Sequence, residues 1–318
     1  MKINKSVFYA TLYAIIAFCS TIYLIPFYVE GDQAHYRDFY NYCFYDSYTY
    51  EQKFFCFQNT LGSSEPGYFL ISKLFNSLLI SKDIYIAIAN SILTFLSVIL
   101  IFKYYKVVWH RHVFILLVLT NYYFIVMLFS AERLKFGFLF LILALLFNQR
   151  KRLFLFALAM LMHAQMAIMI APFFLTNIFS EKSRWFVKAL TIAGGLVLFG
   201  GISYFLQGHI QAKYEVYSTL ESGNFGLIGA LKTSVFIILA FISIRQMLVI
   251  IAGAPLIILS YFLGSDRIGM LTFIMYVGFV LYYKNKMDLL LFLVMLYFSY
   301  KSIEFVSNIL QYGTGYIS

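Results

Sequence analysis

The chain has 318 residues, of which 62% are hydrophobic and 12% charged, and its formal net charge is +10. A soluble domain is typically about 45–50% apolar and about 25% charged, so one water-facing core cannot hide this much apolar surface, whereas a bilayer can face it. The Lys and Arg excess lies in short connectors between apolar runs, as in a polytopic membrane protein, and no polar domain is present to bind nucleic acid.

After Met1-Lys2-Ile3-Asn4-Lys5 an apolar run reaches Pro26. It is about the length of a spanning helix and no A-x-A site follows it, which predicts an uncleaved first helix with a cytoplasmic N-terminus. Residues 27–65 are polar, tyrosine-rich and acidic, and are expected as an extracytoplasmic loop. Cys43 and Cys56 share this loop, either as a disulfide facing an oxidising space or as two free thiols. Residues 66–82, short and carrying two lysines, read as an amphipathic or partly inserted helix.

Spans are expected over 84–102 and 113–130, joined by a basic connector with Lys103, Lys106 and Arg111, and then over 134–148. The stretch 153–179 has a basic flank on each side, so a broken hairpin turning near His163 keeps both flanks on the cytoplasmic side. Further runs cover 186–206, 227–244, 247–263, 268–282 and 287–307, with a polar extracytoplasmic loop over 207–226. The reading is all-α: one polytopic bundle over 1–318, with about nine or ten crossing or dipping helices and a re-entrant hairpin. The C-terminus falls outside. No metal-ligand spacing or internal repeat is visible.

This topology collects polar residues on one face: Asp32, Tyr36, Arg37, Glu65, Glu132, Arg133, Lys135, His209, Lys213, Tyr214, Glu215, Tyr217, Asp266 and Arg267. Arg133 and Arg267 run against the positive-inside trend and precede apolar helices. A planar guanidinium near free backbone N–H groups suits a phosphate or diphosphate. Local pairing with Glu132 or Asp266, or snorkelling, is the plainer account. Glu65 before Pro66 reads equally as a helix cap, Asp32 after Gly31 as an Asx turn, and His163 as a hydrogen-bonded bundle residue.

The order Gly31-Asp32-x-x-x-Tyr36, Glu65-Pro66-Gly67-Tyr68 leading into Leu70-Ile71-x-Lys73-Leu74-Phe75, Arg133 with Gly137, a run ending at His163, and Arg267-Ile268 resembles the EpsG-like branch of the Wzy-type polysaccharide polymerases. Leu134-Lys135-Phe136 after Arg133 departs from the Gln- or Gly-containing stretch expected there. The resemblance implies a GT-C-like or Wzy-like bundle in the bacterial cytoplasmic membrane. It implies O-antigen, capsule or exopolysaccharide polymerisation at the outer leaflet, on undecaprenyl-diphosphate-linked oligosaccharides. It implies no cofactor and no metal, with membrane lipid, a flippase and a chain-length regulator as partners.

On that expectation Arg133 and Arg267, with Arg37 and Lys135, hold the diphosphate. Asp32, Glu65 or His163 accepts the proton of the attacking hydroxyl. Tyr36, Tyr68, Tyr214 and Tyr217 stack on sugars. Other readings are a ligase or related lipid-carrier-dependent glycosyltransferase, a flippase or transporter of lipid-linked sugars, and a non-catalytic scaffold.

Overall fold

The computed structural model describes residues 4–147, 149–171 and 226–316. Every regular element among them is helical. The helices are α1 (Lys5–Leu24), α2 (Asp32–Tyr42), α3 (Tyr50–Leu61), α4 (Pro66–Ser77), α5 (Lys82–Tyr104), α6 (Arg111–Leu119), α7 (Tyr122–Phe129), α8 (Glu132–Leu146), α9 (Gln149–Met162), α10 (Gly226–Ile244), α11 (Met247–Leu263), α12 (Ser265–Lys284) and α13 (Leu289–Tyr312). They fall into two compact units, residues 1–167 with 285–318, and residues 168–284.

Among the described residues, four helical stretches are long and apolar enough to cross a membrane: Lys5–Phe27, Lys82–Tyr104, Gly226–Ile244 and Leu289–Tyr312. The pair α6 and α7, bent by 50° at its break, makes a fifth if taken as one span. The expected nine or ten counted crossing and dipping helices together, and these four or five, among the described residues, are the ones long and apolar enough to cross. Two of the expected spans are too short: α8 has 15 residues and α9 has 14. At about 1.5 Å per residue each falls short of a hydrocarbon core of about 30 Å. The run expected over 186–206 lies outside the described residues.

The segment expected as a loop over 27–65 contains two helices, α2 and α3. The start of α3 is written in the sequence as a capping box, Thr49 with Gln52 three residues on, and both reciprocal bonds form. Cys43 and Cys56 are disulfide-bonded, with Cα atoms 5.5 Å apart, tying the end of α2 to α3.

Side-chain bonds fix the order of the helices in the first unit. Helix α1 runs antiparallel to α5, since Tyr9 stacks on Phe102 and the Asn90 amide donates to Thr21. Lys103 at the end of α5 donates to the carbonyls of Leu145 and Leu146 at the end of α8. Helix α9 returns along α8, with Arg152 Nε donating to the Ala144 carbonyl. The Lys106 amide donates to the Asn285 carbonyl, and the Val29 and Glu30 amides to that of Gly313. One end of this unit therefore gathers Lys103, Lys106, Arg152 and Asn285. The other, which we call the polar end, gathers the start of α2, the start of α4, the start of α8, His163 and the end of α13.

In the second unit α10 packs on α11 and α12. Ser243 and Tyr276 meet at 3.3 Å between hydroxyls, and Ile237 fills the space left by Gly253.

Candidate functional site

The polar end of the first unit brings Glu65, Arg133 and His163 together. Pro66 starts α4, and Glu65 precedes it in extended backbone. The Glu65 side chain makes no bond to its own helix, so it is not the plain cap that its position before proline also allowed. Its carboxylate accepts from Arg133 at 2.7 Å through one oxygen and meets His163 Nδ1 at 2.6 Å through the other. The Ser63 hydroxyl also donates to it.

The hairpin of α8 and α9 explains why residues 30 positions apart meet on one carboxylate. Arg133 sits in the first turn of α8, and α9 ends at Met162, just before His163. Residues 164–165 form a turn and helical backbone resumes over 166–171. A helix break therefore falls at His163, and the return arm of the expected hairpin, beyond residue 171, lies outside the described residues.

The three side chains are 15%, 13% and 11% exposed for Glu65, Arg133 and His163. They are mostly screened from solvent but not sealed from it. Burial pushes the Glu65 carboxyl up, but the hydrogen bond and charge of His163, the Arg133 guanidinium and the Ser63 hydroxyl outweigh it. The carboxyl stays well below the usual carboxylate range. His163 Nε2 faces the Gln165 side-chain oxygen at 3.2 Å. Turning that amide around would let its NH2 donate to a neutral ring nitrogen.

Tyr36 of α2 extends the cluster: Arg133 Nε donates to its hydroxyl at 3.4 Å. Burial raises the Tyr36 phenol, although Arg133 opposes the shift, so it remains protonated. Tyr68 is fully buried and its hydroxyl donates to Glu132 at 2.8 Å. These two tyrosines, expected to stack on sugars, are interior residues that hold polar partners.

Asp32 is exposed and accepts from Ser130 at 2.7 Å. Arg37 is committed to Asp83 at 2.8 Å and to the Ile25 carbonyl at 2.8 Å. Lys135 is fully buried and its Nζ has no hydrogen-bond partner among the described residues. Arg267 stands in the first turn of α12, in the other unit, and is exposed. Tyr214 and Tyr217 lie outside the described residues, as do His209, Lys213 and Glu215.

Sequence reasoning missed Lys82. Its Nζ lies 2.6 Å from Glu132 Oε2, with side-chain exposures of 3% and 1%. Rings of Tyr36, Tyr40 and Tyr85 surround it at 5.5, 5.3 and 5.0 Å. Glu132 thus pairs with Lys82 rather than with its neighbour Arg133. Lys82 opens the apolar α5, where a charge demands a partner; that was the available signal. Among the described residues no three His, Cys, Asp or Glu side chains gather as a metal site would require.

The arrangement can stabilise negative charge through Arg133 and move a proton through the Glu65–His163 pair. The chain matches no family model, no curated protein and no solved structure.

Proposed function

We propose that this chain is a glycosyltransferase that polymerises oligosaccharide repeat units carried on undecaprenyl diphosphate, at the outer face of a bacterial cytoplasmic membrane. The observation that carries the reading is the meeting of Arg133, Glu65 and His163 at one end of a bundle with membrane-crossing helices. The basic connectors gather at the opposite end, which supports an outward-facing site. The Cys43–Cys56 disulfide, which ties the end of α2 to α3, supports it too, because such bonds persist in oxidising compartments.

In the reaction, a sugar hydroxyl of the acceptor attacks the anomeric carbon of the donor chain. The new C–O bond forms as the bond to the diphosphate oxygen breaks, and undecaprenyl diphosphate leaves. Arg133 faces the charge that develops on the leaving diphosphate. His163 takes the hydroxyl proton. Glu65 orients His163 and stabilises the ring once protonated, a division of labour familiar from acid–histidine pairs. Holding two lipid-linked substrates side by side supplies much of the remaining rate. A flippase that supplies the units and a chain-length regulator are the partners this activity needs.

A transporter would line a path from both ends with polar groups, and the ion cluster described above sits at one end only. A ligase would share the donor chemistry but use a different acceptor. The test is purified protein in nanodiscs with a single synthetic undecaprenyl-diphosphate-linked repeat unit. Polymer from wild type and none from His163→Gln supports the reading; no polymer from wild type, with transfer only to an unrelated lipid acceptor, favours the ligase.

A further inference from the structure

We propose that Tyr68, Glu132 and Lys82 are positioning residues, a buried second cluster that fixes Glu65, Arg133 and His163 in place. This rests on the reading of those three as the reacting site. Helices α4 and α8 are joined twice. Glu65 bonds Arg133 at 2.7 Å, and three residues along α4 Tyr68 donates to Glu132, the neighbour of Arg133, at 2.8 Å. One bond would let α4 pivot on α8; two bonds a helical turn apart stop it.

Lys82 adds a third helix to the joint. Its Nζ reaches Glu132 at 2.6 Å and lies 3.5 Å from the Tyr68 hydroxyl. It also sits over the ring of Tyr36, whose hydroxyl holds Arg133 Nε. Both clusters therefore share Tyr36. With Lys82 and Glu132 side chains 3% and 1% exposed, neither can touch a substrate; each can act only through its neighbours. Stability alone does not call for this pair, since apolar side chains of similar volume serve as well. What an ion pair adds is a defined geometry, and an active site needs that.

The experiment uses the full chain in nanodiscs, labelled with 15N at histidine. It reads the imidazole N–H resonance of the His163–Glu65 hydrogen bond, assigned by its loss in His163→Gln, beside the kinetics of polymerisation. Tyr68→Phe keeps the ring and removes only the bond to Glu132. The triple variant Lys82→Met with Glu132→Leu and Lys135→Met removes the ion pair together with the buried ammonium that Glu132 also faces, so that no charge is stranded. Both are expected to move the resonance and to lower kcat about tenfold or more, with KM within about twofold. An unmoved resonance overturns the proposal, whatever the rate does. A moved resonance with an unchanged rate upholds the clasp and sinks the reading of the site instead.

Discussion

Gly67 of α4 lies against the backbone of Leu161 of α9, so that a Cβ at residue 67 would stand 2.8 Å from the Leu161 carbonyl oxygen. This contact sets Glu65, two residues earlier, beside His163, two residues later. Backbone cannot yield as a flexible side chain can. Gly67→Ala is expected to destabilise the protein by about 1–3 kcal/mol and to impair activity beyond that loss. Gly278→Ala, where nothing lies within 4 Å, is its control and should be neutral or slightly stabilising. Equal thermal midpoints for the two variants would sink the argument.

The Glu65 carboxyl gives a pH dependence with a defined sign. Its folded value is held below the ordinary one, so its contribution is fully present above the unfolded value of about 4.3. It is lost as pH falls and the unfolded chain takes up the proton first. Between about pH 5 and pH 3, wild type should lose thermal stability more steeply than Glu65→Gln. Parallel curves from the two proteins would show that the carboxylate is not stabilised by its neighbours.

Arg133 and lysine are not interchangeable here, because the guanidinium must serve Glu65 through NH1 and Tyr36 through Nε at once. Arg133→Lys should be present at normal membrane abundance and still lose most polymerisation. Arg133→Ala should lose about 10²–10³ in rate. The cell's surface polysaccharide, run on a gel, reads this as single repeat units in place of a ladder. A normal ladder from Arg133→Ala would remove Arg133 from the mechanism.

The Cys43–Cys56 bond closes a short loop, with the two residues 13 apart in sequence. Cys43→Ser should cost about 2–4 kcal/mol, seen as a lower thermal midpoint that reductant no longer changes. Wild type should fall to the same midpoint when reduced. If reductant leaves wild type unaltered, the α2–α3 segment owes nothing to the bond.

The individual residues of the ion cluster were legible in the sequence because each was odd where it stood: an arginine at the start of an apolar helix, a histidine among leucines and methionines, an acid before Pro66. Their pairing was not legible. It depends on α8 and α9 folding back on each other, and nothing local to residue 133 names residue 163. Tyr36 and Tyr68 were picked out as aromatics, but whether a ring faces outward or inward is decided by packing. Glu132 shows the same limit, since proximity in sequence favoured Arg133 and the fold supplied Lys82. Helices α2 and α3 were hidden by composition, as polar residues read as loop, although Thr49 and Gln52 carried a start signal for α3.

The hairpin of α8 and α9, with arms of 15 and 14 residues, restricts how this chain can change over time. A one-residue insertion within either arm would turn everything beyond it by about 100° and shift it by about 1.5 Å. Arg133 or His163 would then swing away from Glu65. Length changes should accumulate in the connection near residue 147 or beyond the arms, while the arms keep their register together.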